Sequence, residues 1–332
     1  MGNIVNLPNI TPDSIVVIDN NGADNNFKNK TFNEKNYLNV RLENGEKEKT
    51  LTIRLLPMDL ETGNPFVKVH MHNVKVPKEV SPSGYKSYLC LAKNKDIDHD
   101  TYGYKCPFCE LNQNAYQESL KETNEIEKKN FQEISLANKS REAVIVRCIE
   151  RGKEDEGVKF WKFSLRSDEK DPYHTIINLY NKRKEEAEKK GKVENILDIY
   201  NGYDLDVTFT AGKPVPPPTI IDAKESSPLS QDPELMKKWI YDEKKWQDVF
   251  STKPYEYLSL ISEMKVPWYD REAKKWIDKE VVDAKREEKK NQEAVADREI
   301  EAAAAKAIQS EPQPVQDFTS SLIMKDDDDL PF

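Results

Sequence analysis

Glycine is scarce, with 11 in 332 residues. None sits in a phosphate-cradling loop, and the chain has neither Gly-x-Ser-x-Gly nor His-Glu-x-x-His. Those missing signatures leave an enzymatic reading without a foothold, so the expectation is a binding protein and not an enzyme. Long apolar runs are missing as well, which excludes a membrane-spanning helix. The N-terminus is polar and carries no hydrophobic signal segment. That predicts a protein that is not secreted, in a reducing compartment where disulfides are disfavoured. Charged residues make up 33% of the chain and its mean hydropathy is -0.83, so long segments are solvated and the core is smaller than the length implies.

Cysteine is also sparse, but it is concentrated. Three of the four cysteines, Cys90, Cys106 and Cys109, fall within twenty positions. Cys106-Pro-Phe-Cys109 has the spacing at which two thiolates grip one tetrahedral Zn²⁺, and Cys90 with one histidine would complete a Cys₃His set for one ion per chain. Spacing alone leaves His70, His72 and His99 as candidates for the histidine. The polar run from Asn94 to Gly103 has little apolar surface with which to order itself, and a metal would supply that folding energy. Two other readings of the thiols compete. One is a glutaredoxin-like redox pair at Cys106 and Cys109, which leaves Cys90 without a role; the other is unliganded thiols. Cys148, in the apolar run from Ala143 to Ile149, reads as a core thiol.

The net charge of -9 argues against nucleic acid, but its distribution is uneven. The last 22 residues carry -5, whereas Phe66 to Lys95 has six lysines against Glu79 alone, with Phe66, Tyr85 and Tyr88 interleaved. Either feature by itself would be read as an ordinary solvated surface.

Along the chain, residues 1–35 are asparagine-rich and read as an irregular arm. Alternation from Tyr37 to Leu42 and from Lys49 to Pro57, around Asn44-Gly45, predicts a hairpin. Phe66 to Val76 predicts a third strand, and a polar helical stretch follows Cys109 up to Asn138. Ala143 to Ile149 and Val158 to Leu165 predict a second hairpin, Tyr173 to Lys190 a helix ending at Gly191, and Asp204 to Thr210 a further strand. Strands this short and numerous suit a small closed barrel in an α+β fold. Pro214 to Pro218 reads as a stiff connector that cannot enter a sheet. Helices are expected over Pro233 to Phe250 and Tyr255 to Met264, and a long charged helix from Trp268 through Ala307. Residues 309–332 read as a disordered acidic tail. The resulting organisation is an arm (1–35), a core with a metal lobe (36–265, the lobe about 72–140), a charged helix (266–308) and the tail.

The Asn-Gly hairpin ending in Ile53-Arg-Leu-Leu-Pro57, the Pro65-Phe66 strand ending in His72, the Cys90/Cys106/Cys109 set and the Glu156-Gly-Val-Lys-Phe-Trp-Lys-Phe163 hairpin together resemble the T-even phage helix-destabilising proteins. The resemblance covers about residues 36 to 265. It implies an OB-fold-like barrel with an inserted zinc lobe and a function in coating and protecting transient single-stranded DNA during phage replication, recombination and repair, in the cytoplasm of an infected bacterial host. It also favours His72 as the histidine ligand, with Cys90, Cys106 and Cys109. The gaps between ligands are longer here than in that family. Self-association along the strand is implied too, although the family's basic arm has no counterpart in a segment with three lysines and four acids.

A barrel that holds single strands without reading sequence needs cations along the phosphates and aromatic faces for the bases. Arg54, Lys68, Lys86, Lys93, Arg141, Arg147, Lys159 and Lys162 are the candidate cations. Tyr85, Tyr88, Tyr102, Tyr104, Trp161 and Phe163 are the candidate platforms. The ending Asp326-Asp327-Asp328-Asp329-Leu330-Pro331-Phe332 resembles the acidic tip of bacterial single-stranded DNA-binding proteins, and implies recruitment of replication, recombination or repair proteins. Two readings from other classes stay open: a thiol oxidoreductase using Cys106 and Cys109, and a zinc-ribbon adaptor for RNA or protein.

Overall fold

The computed structural model describes residues 36–58, 60, 63–95, 97–250 and 252–309. The expectations for 1–35 and for the tail from Asp326 to Phe332 therefore lie outside the described residues. Residues up to Asp278 form one compact unit and those from Lys279 another.

The first unit is α+β and is built on an antiparallel sheet of seven strands, β1 (Glu48–Leu56), β2 (Phe66–Lys75), β3 (Tyr85–Leu89), β4 (Arg141–Glu150), β5 (Lys159–Ser164), β6 (Leu205–Thr210) and β7 (Thr219–Asp222). β4 is its spine. On one edge β4 serves two partners in succession, β2 from Arg141 to Val146 and β1 from Arg147 to Glu150, and on its other edge it pairs with β5. β3 extends the sheet beyond β2, and β6 and β7 extend it beyond β1. No ladder among the described residues closes the sheet into the expected barrel; β3 and β7 stand at its ends.

The spine is apolar on both faces, which is why it reads as an unbroken run and not as an alternation. Val144, Val146 and Cys148 point into a cluster with Ile53, Leu55, Trp161, Phe163, Leu205 and Val207, roofed by Tyr173, Ile176, Ile177 and Tyr180 of α4 (Pro172–Glu188). Ala143 and Ile145 point the other way, into a cluster with Val67, Val69, Met71, Leu89 and Phe160. That second face is covered by Phe108 of α2 (Pro107–Lys121), Trp246 and Val249 of α6 (Trp246–Val249), and Leu258 and Ile261 of α7 (Tyr255–Ser262). Cys148 is fully buried, as a core thiol should be, and burial pushes its pKa up to about 12.

Several expectations are corrected. Tyr37 to Leu42 is not a strand. It makes one isolated parallel bridge, Tyr37 with Phe160, while Lys49 Nζ occupies the carbonyls of Asn39 and Arg41, and β1 pairs with β6 and β4 instead. The helical stretch after Cys109 is two helices, because Asn124 accepts from the backbone N–H groups of Ile126 and Glu127 and so caps a new one, α3 (Glu125–Asn138). The expected helix from Pro233 to Phe250 breaks after α5 (Pro233–Ile240), where Arg147 reaches up from the sheet and donates to the carbonyls of Trp239, Ile240 and Asp242. The proline-rich connector stays out of the sheet, but β7 begins directly after it.

The stretch from Trp268 does not start a helix. β8 (Pro267–Asp270) and β9 (Lys275–Asp278) form a separate hairpin in which Tyr269 lies directly opposite Trp276 and Asp270 accepts from the backbone N–H groups of Glu272 and Ala273. An aromatic cross-strand pair and an Asx turn outweigh the helix propensity of the surrounding charged residues. The charged helix, α8 (Lys279–Gln309), begins only after it and forms the second unit. No helix among the described residues is long and apolar enough to cross a membrane.

Candidate metal centre and its surrounding surface

Three elements deliver one donor atom or pair each. His72 sits near the end of β2, buried although its strand neighbours His70 and Lys68 are partly exposed. Cys90 follows β3 directly and its backbone N–H donates to the carbonyl of His70, which holds it beside β2. Cys106 is the N-cap of α2, and Cys109 lies in its first turn. A helix start favours thiolates at both positions, because the unpaired N–H groups and the helix dipole put positive potential there.

The donor atoms of His72, Cys90, Cys106 and Cys109 all lie within 4.8 Å of one another. Cys90 Sγ is 3.4 Å from Cys109 Sγ, and His72 Nε2 is 3.4 Å from Cys106 Sγ and 3.6 Å from Cys109 Sγ. A tetrahedron with bonds of 2.3 Å to sulfur and about 2.05 Å to nitrogen has edges of about 3.8 Å between sulfurs and about 3.6 Å between nitrogen and sulfur. The set therefore fits one metal ion with small adjustments, and is too open for a disulfide. The four cysteines are free.

The histidine choice left open by spacing is resolved by what each ring touches. His72 Nδ1 lies 2.8 Å from the carbonyl of Asn138, the last residue of α3, so that nitrogen carries the proton and Nε2 is the one turned to the thiols. His99 is engaged at both nitrogens, with the carbonyls of Gly103 and Asn94, and its ring stacks on Tyr104. His70 lies on the surface beside Glu142, 3.8 Å away. The thiols hold their protons unequally. Hydrogen bonds from Cys109 and Cys90 pull Cys106 far below the usual thiol range, while the same contacts and burial push Cys109 up. Burial lowers the His72 pKa, but bonds to the sulfurs outweigh it and raise the value to about 9.

The polar loop between Cys90 and Cys106 is not ordered by the donors alone. Asn94 is buried and takes the place of a strand neighbour: its Oδ1 accepts from His70 N–H at 2.7 Å, and its Nδ2 donates to the carbonyls of His70 and Cys90 at 2.8 and 2.9 Å. Leu91 and Ile97 are buried beneath it, and α1 (His99–Tyr102) follows. On the far side, Tyr255 of α7 donates its hydroxyl to Glu110 of α2 at 2.7 Å, tying the helix that carries two ligands to the C-terminal helices.

The candidate DNA-contacting residues divide into two groups. Six are interior, which corrects their expected surface role. Arg54 donates to Asp204 at 2.9 Å and to the carbonyls of Asp198 and Ser227; Arg147 caps the end of α5; and Lys159 is held between Glu150 and Glu156. Tyr88, Trp161 and Phe163 are buried in the apolar clusters. For Trp161 and Phe163 the reason is that β5 is covered on both faces, so the alternation that was to expose either Trp161 and Phe163 or Phe160 and Lys162 leaves only Lys162 partly exposed.

The remaining eight reach solvent to different degrees. Lys68 is neutralised by Glu142 at 2.9 Å. Tyr85, Lys86, Lys93, Tyr104 and Arg141 are exposed, and Tyr102 and Lys162 are half-buried. Among the described residues no carboxylate pairs with Lys75, Lys78, Lys86, Lys93 or Lys95, so the local positive charge of this stretch is largely uncompensated. Lys162 donates to Ser87 Oγ at 3.0 Å, and burial alone lowers its pKa. Sequence reading missed Lys253, whose ammonium lies 5.6 Å above the ring of Tyr257 and whose pKa is lowered by burial and then by Lys86. A lone Lys-Pro step in a stretch of helices carries no signal that could have found it.

No protein-family model matches the chain, and no curated protein does.

Proposed function

We propose that the protein binds single-stranded DNA with little regard to sequence, coating transient single strands in phage-type replication, recombination and repair, on an OB-type scaffold stabilised by one zinc ion. The observation that carries this reading is the run of lysines from Lys75 to Lys95, without carboxylate partners among the described residues and set beside the exposed ring of Tyr85. Uncompensated cations on a chain with net charge -9 call for a polyanionic ligand, and exposed aromatics favour one with unpaired bases. Antiparallel strands paired around β4, whose one edge serves two partners in succession, are compatible with the sheet of an OB barrel. The resemblance to the T-even helix-destabilising proteins points the same way.

Zinc is the metal that a Cys₃His tetrahedron selects, and its role here is structural: four protein donors leave no open position for chemistry. A redox role for the same thiols would need an open sulfur, and Cys90 and Cys106 are buried while Cys109 is only partly exposed. The acidic ending from Asp326 to Phe332 belongs to the proposal as a recruitment tip. Four aspartates compete with DNA for the lysines, and Leu330 with Phe332 offers two apolar anchors.

The test is a salt titration comparing poly-dT, duplex DNA and RNA, with metal analysis of the same preparation. Tighter binding to poly-dT than to duplex, with affinity falling steeply as salt rises and one zinc per chain, is expected. Equal affinity for duplex would overturn the single-strand reading, and preference for RNA would favour an adaptor role. Deleting residues 326–332 should tighten DNA binding at low salt; deleting Phe332 alone should leave affinity unchanged and remove captured replication or repair proteins.

A further inference from the structure

A chain of rings runs from the metal centre to the surface. His72 lies 5.2 Å from Phe108, Phe108 is 6.1 Å from Tyr88, Tyr88 is 6.0 Å from Tyr257, Tyr257 is 4.9 Å from Trp276, and Trp276 is 5.2 Å from Tyr269. The inner members, Phe108 and Tyr88, are 1% and 3% exposed, whereas Tyr269 at the far end is 44% exposed. Two ammonium groups lie over this chain, Lys86 at 5.9 Å from the ring of Tyr88 and Lys253 at 5.6 Å from that of Tyr257. They are close enough that Lys86 depresses the pKa of Lys253, and neither has a carboxylate partner among the described residues.

The hairpin's own stability explains only part of this. Two strands of four residues are marginal alone, and Trp276 packed edge-on against Tyr257 fixes them to α7. That accounts for Trp276. It does not account for a large ring left half in solvent at Tyr269, nor for two cations set over neighbouring rings with no carboxylate partner among the described residues. Like charges on adjoining rings repel, and an anion that both can reach relieves the repulsion.

Resting on the single-stranded DNA reading, we propose that the β8–β9 hairpin is a stacking platform. An unpaired base lies on Tyr269 and Trp276, and its adjoining phosphate on Lys253 and Lys86. The surface that takes the strand thus extends from the metal lobe onto residues 253–276. The occupant is a single-stranded nucleic acid and not a protein segment, because only a ligand that alternates aromatic faces with anions matches both halves of the site.

The experiment uses the full chain and two ligands of equal length, oligo-dT and the same backbone without bases. Tyr269→Ala should weaken oligo-dT at least about fivefold and leave the abasic strand unchanged, while Tyr269→Phe behaves as wild type. Lys253→Gln should weaken both ligands and shallow the salt slope by about 0.7. Tryptophan fluorescence of the unmutated protein gives an independent readout. Quenching by oligo-dT should be reduced in Trp276→Phe. Wild-type affinity in Tyr269→Ala together with unchanged quenching in Trp276→Phe overturns the platform while the DNA reading stands. No binding of either ligand by the unmutated protein at low salt overturns both.

Discussion

His72 donates its Nδ1–H to the carbonyl of Asn138 at 2.8 Å, so the end of α3 decides which nitrogen of the histidine faces the thiols. This contact makes the two-helix excursion from Pro107 to Asn138 part of the candidate metal centre, since α2 supplies two sulfurs and α3 orients the histidine. Zinc should therefore bind at one per chain and be lost in Cys90→Ser and Cys106→Ser, while His99→Ala and His70→Ala keep it. Metal removal should raise protease sensitivity between Lys86 and Lys105 and spare the strands on the far side of the sheet. Metal analysis decides it; zinc retained by Cys90→Ser and lost by His99→Ala would reassign the ligands.

Gly202 lies beneath Arg54. A Cβ there would stand 2.2 Å from the carbonyl oxygen of Asp198 and 2.7 Å from that of Ile196, both backbone atoms that cannot swing away, and 3.0 Å from the guanidinium. The chain must pass this close for Asp204, Ser227 and the Asp198 carbonyl to converge on the buried charge. Gly202→Ala should cost about 1–3 kcal/mol, read as a lower urea midpoint with an unchanged slope. An unchanged midpoint would mean that the loop shifts freely and the arginine is held by other contacts.

The legible parts of this chain were those written in local pattern. Phe66 to Val76, Ala143 to Ile149 and Val158 to Leu165 carry strand signals strong enough to place β2, β4 and β5. The three thiols of the candidate metal centre were legible because thiol spacing is itself the chemistry; the choice of His72 from the bare pattern was not, because it depends on a carbonyl 66 residues away. Pairing was illegible for the same reason. Nothing near Lys49 says that its strand will sit beside β6 and not beside Tyr37 to Leu42. Arg54, Arg147 and Lys159 looked like phosphate contacts because a cation in a strand ordinarily faces water. Each instead meets interior acids or carbonyls contributed by distant segments, Asp204 for the first and the end of α5 for the second. The platform at Tyr269 and Trp276 was hidden behind helix-forming charges on both sides.

Glu150 gives the protein an acid-sensitive joint. It is buried; burial alone would raise its pKa, but bonds from Lys153 and Lys159 outweigh that and hold it below the ordinary carboxylate value. A carboxylate whose folded pKa is depressed stabilises the fold above its unfolded value of about 4.3, and that contribution is lost as pH falls through the lower folded value. Stability should therefore drop on acidification below about pH 4.3, and Glu150→Gln should be less stable at neutral pH with a flatter acid limb. Urea midpoints across that range measure it. Parallel pH profiles for the two proteins would show that Glu150 is not the group responsible.

The division between interior and exterior cations leads to opposite signatures on mutation. Lys86 and Lys93 are exposed and have no carboxylate partner among the described residues, so replacing both by Ala should change stability by no more than about 0.5 kcal/mol. If each neutralises one phosphate, the same double variant should shallow the slope of log affinity against log salt for single-stranded DNA by about 1.4, since each contact contributes about 0.7. Arg54 and Lys159 are buried against acids, so Arg54→Ala leaves Asp204 with Arg151 alone and Lys159→Ala leaves Glu150 with Lys153 alone, and each should cost about 1.5–3 kcal/mol through the lost charged hydrogen bonds. The folded fraction of those variants should keep the wild-type salt slope, because no phosphate contact is lost. Anisotropy titrations at several salt concentrations, paired with urea unfolding of each variant, separate the two behaviours. A shallower slope in Lys159→Ala with unchanged stability would return that lysine to the surface, and an unchanged slope in the Lys86 and Lys93 double variant would move the strand's path away from the metal lobe.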